Sequence, residues 1–317
     1  MLRGKGEYAQ MAQPALRVKT VAGGWAAQRQ RDFYLGLFPA LVVLAAVTLA
    51  PTLYLLVTSL TPLNLVMPET AWDFSDPLRN YAALLTDRRF HNSVWVQVKL
   101  SFFTVSLQLL IGLAVAMMLH VQSRFMEAVR TTFLVPMVLP PIVVAIIWKV
   151  LYTPDISPVH WFLAYIGHPA KAMITSPELA LWAIIIADVW EWFPFTMLMI
   201  LAALQMLPEE PLEAARIDGA NSWQVFLHVI LPLLRPALLV AGLFRLIDSV
   251  KAFPLIYILT DGGPGTVTEV TNFYAFVQAF NFSYLGFSSA ITVVMVGATF
   301  FLSWLIIKLV GTEVEIE

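Results

Sequence analysis

Six stretches of this chain, 34–57, 94–119, 129–152, 179–205, 237–260 and 285–310, are predominantly apolar over more than twenty residues each. A bilayer core of about 30 Å needs roughly 20 helical residues at a rise of about 1.5 Å each. Within lipid, every backbone N–H and C=O must find its partner inside the protein, which leaves α-helices or a closed barrel. The alternating apolar and polar strands of roughly ten residues that mark a barrel are not visible. The expected fold class is therefore all-α, a polytopic membrane protein with six transmembrane helices. Charge content agrees: 13% of the 317 residues are charged, where a soluble domain carries about 25%. So little polar surface cannot cover a water-exposed globule.

The first apolar run follows 33 mostly polar residues and is 24 residues long. A signal-peptide core is only about 7–15 residues, so this run is expected to remain as a helix. Lys and Arg set the orientation. With the N-terminus inside, the inner segments hold eleven basic residues and the outer loops four: Arg79, Arg88, Arg89 and Lys171. Both termini are thus expected in the cytoplasm, with a multi-pass chain in a bacterial cytoplasmic (inner) membrane. The expected layout is a cytoplasmic tail over 1–33, a transmembrane domain over 34–310 and a cytoplasmic tail over 311–317. The outer loops are 61–93, 153–178 and 261–284. There are no cysteines, and no two of His91, His120, His160, His168 and His228 share the i, i+4 spacing of a helical metal site. A formal net charge of −2 gives no reason to expect nucleic acid as a partner.

The inner loop over 206–236 is the most informative. Pro211 suits a first helical position, and Glu209 and Glu210 sit where a helix dipole favours negative charge. A short helix over 212–217 is expected to end at Gly219 in the C′ position. Asn221 or Ser222 can cap a second helix, on which Trp223, Phe226, Leu227 and Ile230 fall at i, i+3, i+4 and i+7, one apolar face. Pro232 and Pro236 are expected to close this helix–turn–helix before the fifth span.

The same loop resembles a known family. Glu213-Ala214-Ala215, then Asp218-Gly219-Ala220, then Val229 and Leu231-Pro232, look like the EAA loop of permease subunits of binding-protein-dependent ABC importers. Val229 stands where that pattern prefers Ile. The run 188–195 is similar to the D-V-W-x-W-x-P-F sequence of sugar-type (MalF/UgpA-like) permeases, and 245–257 followed by 259–265 is similar to their fifth-span signature. The resemblance implies a pore-forming subunit that translocates a carbohydrate or polyol. It implies a second permease subunit, a dimer of ATPase subunits that dock on the EAA helices, and an extracytoplasmic solute-binding protein. It also implies that this chain is not an enzyme and binds no cofactor, ATP and Mg²⁺ residing on the ATPase partners. The chain has no G-x-x-x-x-G-K-[ST] sequence. The alternative is a secondary transporter or channel that is not coupled to an ATPase.

Charged side chains inside a span cost about 2.5–3.5 kcal/mol on insertion scales, so those present need a reason. Asp188, Glu191, Arg245, Asp248 and Lys251 lie deep in the fourth and fifth spans. Arg245, Asp248 and Lys251 share one face at i, i+3 and i+6, and Asp188 and Lys251 lie at matching depth, about 13 Å below the outer surface. Two roles fit these residues: hydrogen bonding to solute hydroxyls in a pore cavity, or ion pairs that hold the two spans together. Trp190, Trp192 and Tyr257 suit either stacking on the apolar face of a sugar ring or packing in the core. Lys99 and Lys149 lie near span ends, from which they can reach the interface.

Overall fold

The computed structural model describes residues 22–121, 123–167 and 171–311; the ends of both expected tails, 1–21 and 312–317, lie outside them. Among the described residues there is no strand. The chain forms two compact units, 1–54 and 55–317. Helix α1 (Ala22–Ser59) supplies the described part of the first, with its last residues assigned to the second; it begins ahead of the apolar run and continues through Pro39 and Pro51. In the second, a 3₁₀ turn (Pro68–Trp72), α2 (Arg79–Thr86) and α3 (Arg88–Leu119) are followed by α4 (Arg124–Phe133), α5 (Val135–Val138), α6 (Pro141–Tyr152) and α7 (Pro158–Tyr165). Then come α8 (Ala180–Gln205), α9 (Glu209–Ile217), α10 (Ser222–Val225), α11 (Leu231–Val250), α12 (Pro254–Leu259), α13 (Thr271–Phe276) and α14 (Leu285–Gly311).

Among the described residues, five helices are long and apolar enough to cross a membrane: Asp32–Ser59, Arg88–Leu119, Ala180–Gln205, Ser222–Val250 and Leu285–Lys308. The third expected span, 129–152, is not one helix. It is divided among α4, α5 and α6, the last a shorter apolar helix of 12 residues. Pro136, Pro140 and Pro141 are the cause. A proline lacks the N–H a helix needs, and it pushes the residue before it out of the α region; Pro140 is accordingly extended at φ −58°, ψ 135°.

The fifth expected span, 237–260, is also broken. Helix α11 stops at Val250, Lys251 caps it, and α12 starts afresh at Pro254. Phe253, which precedes that proline, sits at φ −141°. Irregular backbone at membrane depth is tolerated only where it is buried in protein or lines a water-filled cavity, so this break marks a place of interest. At its other end α11 is longer than expected. The loop helix α10 runs into it through a π-helical turn, Phe226–Ile230. Pro232 and Pro236 therefore lie within a continuous helix rather than closing a separate unit. Each removes an amide and crowds the carbonyl four residues earlier, and the wider π turn just upstream of Pro232 accommodates that.

The core is built on α3 against α8. Gly112 of α3 lies so close to α8 that an added Cβ would clash with Thr196 Oγ1 and meet the Met197 backbone nitrogen at 2.9 Å. At that contact the Thr196 hydroxyl donates to the Gln108 carbonyl at 2.7 Å. One apolar cluster joins Val96 and Leu100 of α3, Ile184 and Ile185 of α8, and Ile256 of α12. A second surrounds Met197, Ile200 and Leu234. A third, with Phe90, Tyr274 and Ile291, ties the start of α3 to α13 and α14. Gly112→Ala is expected to destabilise the protein by about 1–3 kcal/mol, because a backbone atom cannot step aside. Gly297→Ala, whose Cβ meets nothing within 4 Å, should be tolerated. Thermal midpoints of the two purified variants in the same detergent check this, Gly112→Ala falling well below Gly297→Ala.

Candidate functional site

The polar groups of α3, α8 and α11 converge on Arg245, which is 1% exposed. On α3, Gln97, Ser101, Thr104 and Gln108 form one uncharged polar stripe at i, i+4, i+7 and i+11, all of it buried. Gln108 Oε1 accepts from Arg245 Nε at 2.8 Å, while its Nε2 donates to Asp188 Oδ2 at 2.8 Å. Arg245 lies 3.6 Å from Asp188 and 3.3 Å from Asp248. Its guanidinium sits 4.7 Å from the centre of the Trp192 ring, a cation–π geometry. One guanidinium thus ties three helices together through two carboxylates, an amide and an aromatic face.

The expected depth match between Asp188 and Lys251 does not become a pair. Lys251 turns instead to Asp248, 3.6 Å away, with its side chain 68% exposed. The reason is the helix break: α11 ends at Val250, so Lys251 lies on its terminal turn rather than on a continuing helical face. Asp188 pairs with Arg245 instead. Glu191, also on α8, is 1% exposed, and its Oε1 has no hydrogen-bond partner among the described residues.

The three aromatic candidates separate. Trp190 packs edge-on against Trp148, ring centres 5.8 Å apart, as part of the core. Trp192 is committed to Arg245. Tyr257 is 48% exposed and stacks on Phe253 at 5.5 Å, with the rings 14° from parallel. The break between α11 and α12 is patched by side chains. Gln97 donates to the Ser249 carbonyl and Asn272 to the Lys251 carbonyl, at 3.1 and 3.2 Å. Exposed Asp248 and Lys251 and the Tyr257 ring therefore border a rigid break in the helix.

Sequence reading missed two parts of this arrangement. The α3 stripe was open to detection as polar residues at helical spacing in an otherwise apolar run. The second part is a clamp beyond the spans. Arg89 grips Glu269 with two hydrogen bonds of 2.8 Å, 180 residues apart in the chain. Tyr274 donates to Asp87 and lies under Arg89; burial, then that hydrogen bond, pushes its phenol above the ordinary value.

The inner loop has the expected helix–turn–helix. Helix α9 starts earlier than expected, so Pro211 is its third residue and Glu209 and Glu210 open its first turn. Gly219 has φ +83°. The Gly219 N–H donates to Arg216 O and the Ala220 N–H to Ala215 O, at 3.1 and 3.0 Å, the two bonds of a Schellman turn. Asn221 and Gln224 then exchange hydrogen bonds as a capping box. Glu213, Ala214 and Asp218 are exposed; Ala215, Ala220, Val229, Leu231 and Pro232 are half-buried. The expected apolar face is altered by the π turn. Val225 is the residue it buries, while Trp223 is exposed and stacks on Phe226 at 5.3 Å.

Five helices of membrane length, a broken helix among them and a capped loop helix feeding into a span mark a polytopic integral membrane protein. The family described as binding-protein-dependent transport system inner membrane component matches residues 108–311. The chain belongs to that family. It is 38% identical to the trehalose/maltose transport system permease protein MalF of Thermococcus litoralis, over 68% of this chain and 73% of that one. It is 33% identical to the trehalose transport system permease protein SugA of Mycobacterium tuberculosis, over 94% of each. The fold matches a bacterial ABC transporter involved in import of the acidic polysaccharide alginate, with a TM-score of 0.78 at 19% identity, covering 92% of this chain and 99% of that one. These likenesses favour an importer permease over a secondary transporter or channel.

Removing the cation at the centre should cost most. Arg245→Met strands Asp188 and is expected to destabilise by about 3–5 kcal/mol. Adding Asp188→Asn should recover part of that loss, a coupling of about 1 kcal/mol or more. Lys251→Met breaks an exposed pair and should cost within about 1 kcal/mol. Denaturation midpoints in lipid nanodiscs would measure all three; strictly additive losses for Arg245 and Asp188 would rule out the pair.

Proposed function

We propose that this chain is one of two permease subunits of an ATP-driven importer that carries a carbohydrate or polyol, with both termini in the cytoplasm. An extracytoplasmic binding protein brings the solute to the outer face. A second, different permease subunit completes the pore. Two ATPase subunits, which hold the ATP and Mg²⁺, dock on the inner loops, and this chain holds no cofactor. The trehalose and maltose named for its relatives give the carbohydrate class its support.

The observation that carries the reading is the continuity between loop and site. From the turn at Gly219, the chain enters one helical path, Ser222–Val250, that delivers Arg245 and Asp248 to the polar cluster. At about 1.5 Å per residue the lever from Ser222 to Arg245 is roughly 35 Å long. Its outer end is the helix break. Its inner end is held rigid by two side chain and backbone caps. Around it lie the exposed carboxylates Glu209, Glu210 and Glu213 and the 85%-exposed Ile217. Acidic groups flanking an apolar tip suit a groove with basic walls on an ATPase subunit. Asp188, Glu191, Asp248, Lys251 and Tyr257 then line or support the solute path, with Trp190 and Trp192 holding it in shape.

Gly219→Val tests the lever. No atom lies within 4 Å of an added Cβ at Gly219, so the penalty is purely conformational: a β-branched residue at φ +83°. The expected result is a fall of about tenfold or more in solute-stimulated ATP hydrolysis by the reconstituted complex, with membrane insertion unchanged. Glu213→Ala should weaken ATPase association more than solute affinity. Full stimulation and full uptake in both variants would remove the loop from its coupling role.

A further inference from the structure

We infer that this chain binds an anionic phospholipid of the leaflet beside the inner loop, with an acyl chain in a groove between α3, α11 and α14 and the phosphate on Arg235. This goes beyond the importer reading and does not depend on it. The groove has a volume of about 910 Å³. Val98 and Val105 of α3, Leu238 and Leu246 of α11, and Met295 and Leu302 of α14 form its walls. Small residues keep it open. Ala298 contributes one methyl group, and at Gly242 an added Cβ would press on Leu109 at 3.3 Å. Helices α3 and α11 run in opposite directions, since Gln97 meets Ser249 and Leu109 meets Gly242. Among the described residues no carboxylate lines the groove. Its ionisable groups stand at its two ends, His91 near the start of α3 and Arg235 near the start of α11.

Depth decides what Arg235 meets. Arg245 is level with Gln108, which stands eleven residues, roughly 16 Å, from the loop end of α3 at Leu119. Half of the bilayer core is about 15 Å, so Arg245 lies near the midplane. Arg235 is ten residues closer to the loop on the same helix, roughly 15 Å away. That places it at the edge of the hydrocarbon, where lipid phosphates stand. The groove between these levels, from Leu238 to Leu246, is apolar and about as long as one leaflet is deep. A phospholipid presents an anion and an apolar chain in the same order and at the same separation. A packed helix would cover the apolar walls but would need an acid at one level to meet Arg235. With no carboxylate on the lining, a choline or ethanolamine headgroup has no counter-charge here, so the site favours a headgroup with net negative charge. Basic residues between spans at the membrane edge suit such headgroups.

The test uses the full chain, with the subunits it copurifies with, in nanodiscs of phosphatidylcholine and phosphatidylglycerol. Native mass spectrometry counts the lipids that stay bound when the nanodisc is removed. The wild type is expected to retain phosphatidylglycerol over phosphatidylcholine by about fivefold. Arg235→Gln should abolish most of that preference. Lys308→Gln removes a cation from the last turn of α14 that does not line the groove, and should leave the preference within about twofold. No preference in the wild type, or equal losses in the two variants, would overturn the inference. The chain has no cysteine, so a nitroxide on Ala298→Cys reads the groove directly and serves if Arg235→Gln fails to assemble. Oxygen dissolved in lipid is expected to relax that label, and Arg235 to remain intact beneath it. A label shielded from oxygen would show that protein fills the groove, a helix of this chain or of a partner, and the lipid site would fall. None of these measurements reads transport, so the importer reading stands or falls separately.

Discussion

A guanidinium in a membrane-spanning helix is tolerable only if the protein replaces the water it has lost. Arg245 is that group here, and the arrangement of α3, α8 and α11 follows from satisfying it. Gln108 must stand opposite it on α3, Asp188 on α8, and Asp248 one turn further along α11. These demands fix the rotation and the depth of three helices at once. They are met only because Gly112 lets α3 and α8 approach until Thr196 can donate to the Gln108 carbonyl. A larger residue at 112 would move the amide away from both the cation and the carboxylate. Between transmembrane helices apolar burial contributes little, since lipid is as apolar as the core, so close packing and such hydrogen bonds carry the specificity.

The helix breaks obey the same rule. Prolines interrupt α4–α6 and separate α11 from α12, and each interruption frees carbonyls that lipid cannot satisfy. At the second break the freed groups are met by side chains from elsewhere: Gln97 reaches the Ser249 carbonyl, and Asn272 reaches that of Lys251. The polar stripe of α3 thus does two jobs. Its lower member, Gln108, holds the buried cation, and its upper member, Gln97, holds the open end of α11.

What the sequence made legible was what local chemistry encodes. Apolar runs located the spans because the lipid requirement acts on every residue of a run. Gly219 and Asn221 announced the turn and the cap because those bonds close within six residues. The i, i+3 spacing placed Asp248 beside both Arg245 and Lys251. Partners across helices were less visible. Depth alone matched Asp188 with Lys251, but the choice of partner depends on which way each helix is turned and on where α11 stops. The Arg89–Glu269 clamp joins residues 180 apart, for which no local period exists. The α3 stripe escaped notice because single amides and hydroxyls barely lower the hydropathy of a long apolar run.

The two halves of the site differ in the way they are held, and the difference bears on how motion could pass through the molecule. The inner loop is stiffened by backbone caps, which do not depend on a partner helix. The polar cluster is held by contacts between helices, which do. A displacement applied to α9 would pass along the continuous path Ser222–Val250 with little loss, since that path contains no break beyond the π turn. It would then arrive at Arg245, where the same displacement must shear hydrogen bonds to α3 and α8, and at Lys251, where the helix ends. On the proposed reading, a coupling movement would therefore be felt first by Asp248 and Lys251, the exposed charges at the end of the lever. Arg245 would act as the bearing against which they turn, because its contacts to Gln108 and Asp188 anchor α11 to α3 and α8.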